Sequence, residues 1–334
     1  MSKKGLGSVL ILISTFLCYS VGLCLLVSCS GESIIKTRKH IILKIDWTPE
    51  PTYFGIFYAK EKGFYKEAGF DVEIIYGKGA PIVAGEISLG AVKVGTTTSD
   101  NILTQVAQGR KYSLCVPLLK FNPFAILSLA NKPVRSLDDL KGKKIGVNVE
   151  SITYTQYLTA LRNANIDKSE ISEVPVGWGG AEFLVAGKVD AILGYITNHG
   201  VDLQAKGKDY VSILYSNLNI PLYSYGLVLA FAPIDSTSED YLTECEMFHF
   251  AKATMEGYEK GAASKIDAAK VLAGIEPSLN EDRIIYGIDK ITRLNAESKA
   301  NLENIDLWKQ DISERNRQLA KSYYRYDALA AKCR

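Results

Sequence analysis

Residues 41–75 read IILKIDWTPEPTYFGIFYAKEKGFYKEAGFDVEII, and a strand, a turn, a helix and a second strand follow one another within them. Ile41, Leu43 and Ile45 form an apolar run that stops at Asp46-Trp47-Thr48-Pro49, where Pro49 and Pro51 forbid further extension. A helix is predicted from about Tyr53, with Ile56, Phe57 and Ala59 on one side, Lys60 to Lys62 as its charged end and Gly63 as its C-cap. Phe70, Val72 and Ile74 then recur at period two, which predicts the second strand. An aromatic residue between the end of a first strand and a helix N-terminus stands where open α/β sheets take small ligands, so Trp47 and Tyr53 are candidate ligand contacts.

Upstream, Lys3 and Lys4 precede an uncharged stretch from Gly5 to Ser30, the layout of a secretory leader, here expected over residues 1–28. Leu26-Val27-Ser28-Cys29 resembles a bacterial lipobox, which makes Cys29 the expected lipidation site and residues 29–39 a polar tether. The apolar run is also long enough for an uncleaved membrane span. Either way the bulk of the chain faces outward, in the cell envelope, held by a lipid anchor in the first reading.

The 334 residues carry a net charge of +2, which falls to zero without the two leader lysines, so nucleic acid is not an expected partner. Cys115, Cys245 and Cys333 are too scattered for a metal cluster or a disulfide framework. Free, partly buried thiols are the expectation, with a Cys245–Cys333 bridge as the alternative in an oxidising compartment.

Downstream the alternation continues: a helix over 82–86, a strand over 91–94, a helix over 100–108 and a strand over 113–117. Phe124 to Ala130 is an apolar strand. In SLDDLKGKKIGV, residues 136–147, Ser136 caps a short helix, Gly142 ends it and a strand restarts at Lys144. Val83-Ala84-Gly85, followed by a strand and then hydroxyl residues, is echoed by Val185-Ala186-Gly187 before the 189–193 strand and Tyr195-Ile196-Thr197-Asn198, as if two lobes were built alike. The return crossing is expected over 222–232, and helices over 241–261, 267–272, 281–288 and 296–321.

No histidine pair for zinc, Walker-A loop, G-x-S-x-G elbow or helix-opening GxGxxG occurs, so no catalytic, metal or cofactor residues are assigned. The expected cleft residues are instead aromatic groups among hydrogen-bonding ones. Trp47, Tyr53, Thr97, Thr98, Ser99 and Asn122 come from the first lobe, and Tyr154, Trp178, Tyr195, Asn198 and His199 from the second. Aromatic faces hold a planar ring by stacking while amide and hydroxyl groups read its edge, which suits a polar heteroaromatic solute.

Together, DWTPEPTYFGIFYAKEKGFYKEAGFDVEI, the VAG-to-TTTSDN segment, SLDDLKGKKIGV and VAGKVDAILGYITNHGVDL resemble the thiamine-pyrimidine-precursor branch of type II periplasmic binding proteins, relatives of the alkanesulfonate, taurine and nitrate receptors. The resemblance implies an α/β fold of two lobes joined by a two-strand hinge, with lobe 1 formed by 40–126 and 229–334 and lobe 2 by 127–228. It also implies a monomeric receptor that passes a small-molecule solute to an ABC permease and its ATPase. Glu50, Tyr53-Phe54-Gly55 and His199 depart from that branch, which leaves riboflavin or a sulfonate- or nitrate-type anion as alternative solutes. A fungal enzyme of the same fold makes the pyrimidine with pyridoxal phosphate, iron and a cysteine-rich run, and this chain lacks that run. A structural surface lipoprotein is the remaining alternative.

Overall fold

The structure is a computed structural model that describes residues 38–177, 179–218, 226–238, 240–297 and 325–333. The expected leader, Cys29, the tether up to residue 37, Trp178 and the tail helix beyond residue 297 lie outside the described residues.

Among the described residues ten strands follow in chain order: β1 Lys39–Ile45, β2 Phe70–Tyr76, β3 Val94–Thr97, β4 Leu114–Leu119, β5 Phe124–Leu129, β6 Lys144–Val147, β7 Ser172–Pro175, β8 Ala191–Tyr195, β9 Tyr210–Leu214 and β10 Leu227–Phe231. They form two sheets of five, ordered β2-β1-β3-β10-β4 and β7-β6-β8-β5-β9. In each sheet three strands run parallel, β1 beside β2 and β3, or β6 beside β7 and β8. The fourth position of each is filled by an antiparallel strand that the chain supplies on crossing from the other sheet, β10 in the first and β5 in the second. The two sheets are therefore built on one plan. Val83-Ala84-Gly85 lies in the helix before β3, and Val185-Ala186-Gly187 runs from the end of the helix before β8.

Helices cover both faces of both sheets. In the first lobe, Phe54–Glu61 and Glu244–Ala263 share one core with β1, β2 and β10, and Ala80–Ser88 and Ser99–Ala107 share a second core on the opposite face. Burial on both faces explains why β10 reads Leu-Val-Leu-Ala-Phe without polar alternation. Phe54–Glu61 and Glu244–Ala263 meet through glycines: a Cβ on Gly257 would collide with the Gly55 carbonyl and fall 2.6 Å from Ala59 Cβ. The long helix starts in a capping box of Thr243 and Glu246. At 136–147 Ser136 and Asp139 exchange bonds with each other's backbone N–H around a 3-10 turn, and Gly142 ends it at φ 73°.

Two segments connect the lobes, 120–123 and a return after β9 that ends at Gly226; of that return, expected over 222–232, residues 219–225 lie outside the described residues. The lobe limits expected at 126/127 and 228/229 fall inside β5 and β10, each of which belongs whole to one sheet. Within the crossing the Gly226 N–H donates to the Phe121 carbonyl at 3.0 Å, and a Cβ at 226 would lie 2.5 Å from Pro123 Cδ, so the two segments touch backbone to backbone.

The cysteine expectation is corrected here. Cys245 and Cys333 form a disulfide across 88 residues, and Cys115 alone of the three is a free, buried thiol. The bridge ties the Tyr326–Lys332 helix to the start of Glu244–Ala263, where Glu244 also pairs with Arg325 and, at 2.7 Å, with Lys332. The sequence offered this bridge only as the alternative to free thiols, because the helices that carry the two cysteines meet only after folding.

Candidate functional site

β1 ends at Ile45, and Asp46 follows as a buried carboxyl. Its N–H donates to Thr96 Oγ1 at 2.9 Å, and its Oδ1 accepts bonds from the Thr96 hydroxyl and, at 3.1 Å, from the Tyr53 hydroxyl. Removal from water raises its pKa, against the pull of these bonds. Four residues on, Glu50 has extended backbone ahead of the Pro51–Tyr53 turn and faces the second lobe. Its Oε2 accepts from Asn198 Nδ2 at 2.5 Å, a bond from one sheet's connections to the other's. Burial pushes the Glu50 acid up to about 7, helped by the Asp46 charge and opposed by Asn198, Arg283 and Thr52.

These groups wall a cavity of about 570 Å³ between the lobes. Trp47, Tyr53, Thr98, Asp100 and Asn101 line it from the first lobe, and Phe124, Ser151, Thr155, Tyr195, Asn198 and His199 from the second. Phe124 meets Tyr195 edge-on at 5.0 Å, and the Tyr195 and His199 rings lie nearly parallel, 6.3 Å apart. His199 is held in place because its Nδ1 accepts the Tyr195 backbone N–H at 3.2 Å. Gly194 allows this, since a Cβ there would sit 2.9 Å from that nitrogen. Ser151 caps the Ile152–Asn163 helix through the Thr153 N–H and lines the cavity as well.

Of the sequence-derived candidates, the structure brings Trp47, Tyr53, Thr98, Tyr195, Asn198 and His199 together at this cavity. Thr97, Ser99, Asn122 and Tyr154 are not among its walls. Thr97 Oγ1 donates to the Ala80 carbonyl, Ser99 is fully buried, Asn122 Oδ1 accepts the Phe124 N–H at the crossing, and Tyr154 OH donates to Glu173. Trp178 and Cys29 lie outside the described residues. Of the carboxylates that line the cavity, sequence reasoning singled out only Glu50, as a departure bearing on the solute, and left out Asp46, Asp100 and the exposed Glu150; Lys78, also exposed, is the lysine among the lining residues. The Asp100 acid is also raised by burial, opposed by a bond from Thr98. The available signal was Asp46 at a strand end four residues before Glu50; nothing local pointed to Asp100.

Two α/β lobes, joined by two crossing segments and enclosing a lined cavity, make the type II periplasmic-binding-protein fold. The solved aliphatic sulphonate binding protein SsuA of Escherichia coli has this fold, with a TM-score of 0.57 at 16% identity over 86% of this chain and 99% of that one. The family model described as NMT1/THI5 like matches residues 50–264, and the chain belongs to that family. It is 25% identical over 195 residues to a Haemophilus influenzae protein named for thiamine biosynthesis, covering 58% of this chain and 62% of that one. The 4-amino-5-hydroxymethyl-2-methylpyrimidine phosphate synthase THI13 of Saccharomyces cerevisiae is 28% identical over 166 residues, 49% of this chain and 48% of the enzyme. The formylaminopyrimidine-binding protein of Halalkalibacterium halodurans is 20% identical over 246 residues, 73% of this chain and 72% of that one. The chain thus spans about half to three fifths of the first two of these relatives.

Proposed function

We infer that the protein is the extracytoplasmic solute-binding component of an ABC importer, lipid-anchored at Cys29, holding a small heteroaromatic vitamin or vitamin precursor of the thiamine-pyrimidine type between its lobes. The observation that carries this reading is the cavity itself, walled by side chains from both lobes and bridged by the Glu50–Asn198 bond. A solute entering between the two lobes gains contacts from both at once, so its binding energy favours the closed arrangement that a permease can distinguish from the open one.

Trp47, Tyr53, Phe124 and Tyr195 offer ring faces on both sides of the cavity, while Asn198, Thr98 and the carboxylates offer partners for a ring edge. The formylaminopyrimidine-binding relative adds support for such a solute. The Cys245–Cys333 bridge supports an oxidising, exported location independently of the leader sequence. A synthase activity like that of the yeast relative has less support, since the sequence lacks the cysteine-rich run and the disulfide speaks against the cytoplasm.

Native mass spectrometry of the purified protein tests the reading, with thermal scans against any molecule it releases. A solute at 100 times its Kd should stabilise the protein by about 2.7 kcal/mol. Trp47→Ala, at a side chain 38% exposed beside the cavity, should weaken that effect at least tenfold in affinity with the unliganded melting temperature unchanged. No ligand-dependent stabilisation by any heteroaromatic solute would sink the receptor reading.

A further inference from the structure

Resting on the receptor reading, we propose that the solute carries its positive charge on nitrogen, as an amidinium or a protonated amino-heteroaromatic does, and that the cleft rejects anions. The cavity wall holds four carboxylates, Asp46, Glu50, Asp100 and Glu150, and one lysine, Lys78, which is exposed. Arg283, the cation nearest Glu50 from the Glu281–Glu297 helix, is engaged by Asp202. The cavity wall therefore carries more carboxyl groups than cations of its own, and a cationic solute supplies the missing partner.

The two helices that begin at the cavity point the same way. A helix N-terminus draws anions through its unpaired N–H groups and dipole. Here Asp100 sits in the first turn of Ser99–Ala107, and Glu150 directly precedes the Ser151 cap of Ile152–Asn163, so each helix start has a carboxylate of the chain at or next to it in sequence. A sulfonate would meet those acids before it met the amides.

The carboxylates do not converge on a point: the described residues contain no group of three or more His, Cys, Asp or Glu placed to hold a metal ion. Acids spread around a cavity with Trp47, Tyr53, Phe124 and Tyr195 between them suit a flat organic cation, whose N–H groups make charge-assisted bonds while its ring rests on aromatic faces.

The test uses the full chain and three probes of one shape: benzamidine, benzamide and benzenesulfonate, by titration calorimetry and thermal shift near pH 8, above the raised Glu50 value of about 7. Benzamidine should bind at least tenfold more tightly than benzamide, and benzenesulfonate should not bind. Asp100→Asn should cut the preference for benzamidine over benzamide several-fold, and Glu150→Gln, at an exposed position that leaves the core intact, should reduce it in the same direction. Benzamide or benzenesulfonate binding as tightly as benzamidine would overturn the charge proposal and leave the receptor reading standing. Binding by none of the three would count against both.

Discussion

Replacing Glu50 by Gln separates what the buried carboxyl costs the fold from what it does in the cleft. Burial moves the acid from an ordinary 4.5 to about 7. Between those values the folded protein binds more protons than the unfolded chain, so the stability that Glu50 contributes is fully present below about 4.5 and is lost as pH rises through about 7. Near pH 8 the loss amounts to about 3 kcal/mol, taking about 1.4 kcal/mol for each pH unit of separation. Gln keeps the length and an amide oxygen for Asn198 and has no proton to lose. For a chain of this size the variant should therefore melt roughly 5 °C above the wild type near pH 8, with the gap closing near pH 4.5. Asp100, whose acid burial also raises, tilts both proteins alike and cancels in the difference, whereas the Asp46 charge repels ionised Glu50 and so adds to the gap. Scanning calorimetry at constant ionic strength from about pH 4.5 to 8 measures that gap, and equal melting temperatures near pH 8 would refute the reasoning. The same variant should bind benzamidine less tightly, so the cleft would gain stability where it loses function.

Two further substitutions test the frame that holds the site. Cys245→Ser opens a bridge across 88 residues and should cost about 3–5 kcal/mol, read as a lower denaturation midpoint that reductant no longer affects. An unchanged midpoint would show that the Glu244 ion pairs alone hold the last helix. Gly257→Ala drives a methyl group into the Gly55 carbonyl and should cost about 1–3 kcal/mol while probe affinity stays the same, because the contact lies away from the cavity. A variant of wild-type stability would mean that the two helices separate more easily than their contact implies.

Much of the fold was legible because strands and helices are encoded within short windows. Ile41, Leu43 and Ile45 marked β1, Gly63 ended the first helix in a left-handed conformation at φ 81°, and the VAG echo anticipated two sheets of one plan. The site was harder to place because a lining residue is decided by one step along the chain. Thr97 and Thr98 are adjacent at a strand end, where neighbouring side chains diverge, and only Thr98 reaches the cavity. On the Ile152–Asn163 helix, Tyr154 and Tyr157 lie three apart and turn to the core face, whereas Thr155, about 100° further round, lines the cleft. Aromatic character alone chose Tyr154, and helical phase overruled it.

By itself the sequence determined the family, the α/β alternation and the aromatic edge of the cleft at Trp47, Tyr53 and Tyr195. Those features depend on residue spacing within segments that fold locally. Only the tertiary structure decided the acidity of the cleft and the pairing of Cys245 with Cys333. Asp46 and Asp100 lie 54 positions apart and Glu50 meets Asn198 across 148, so their shared field exists only once β1, β3 and β8 end around one cavity. A carboxylate in a solvated chain is one charge among many. Buried beside others of its sign, it becomes the feature that selects the ligand.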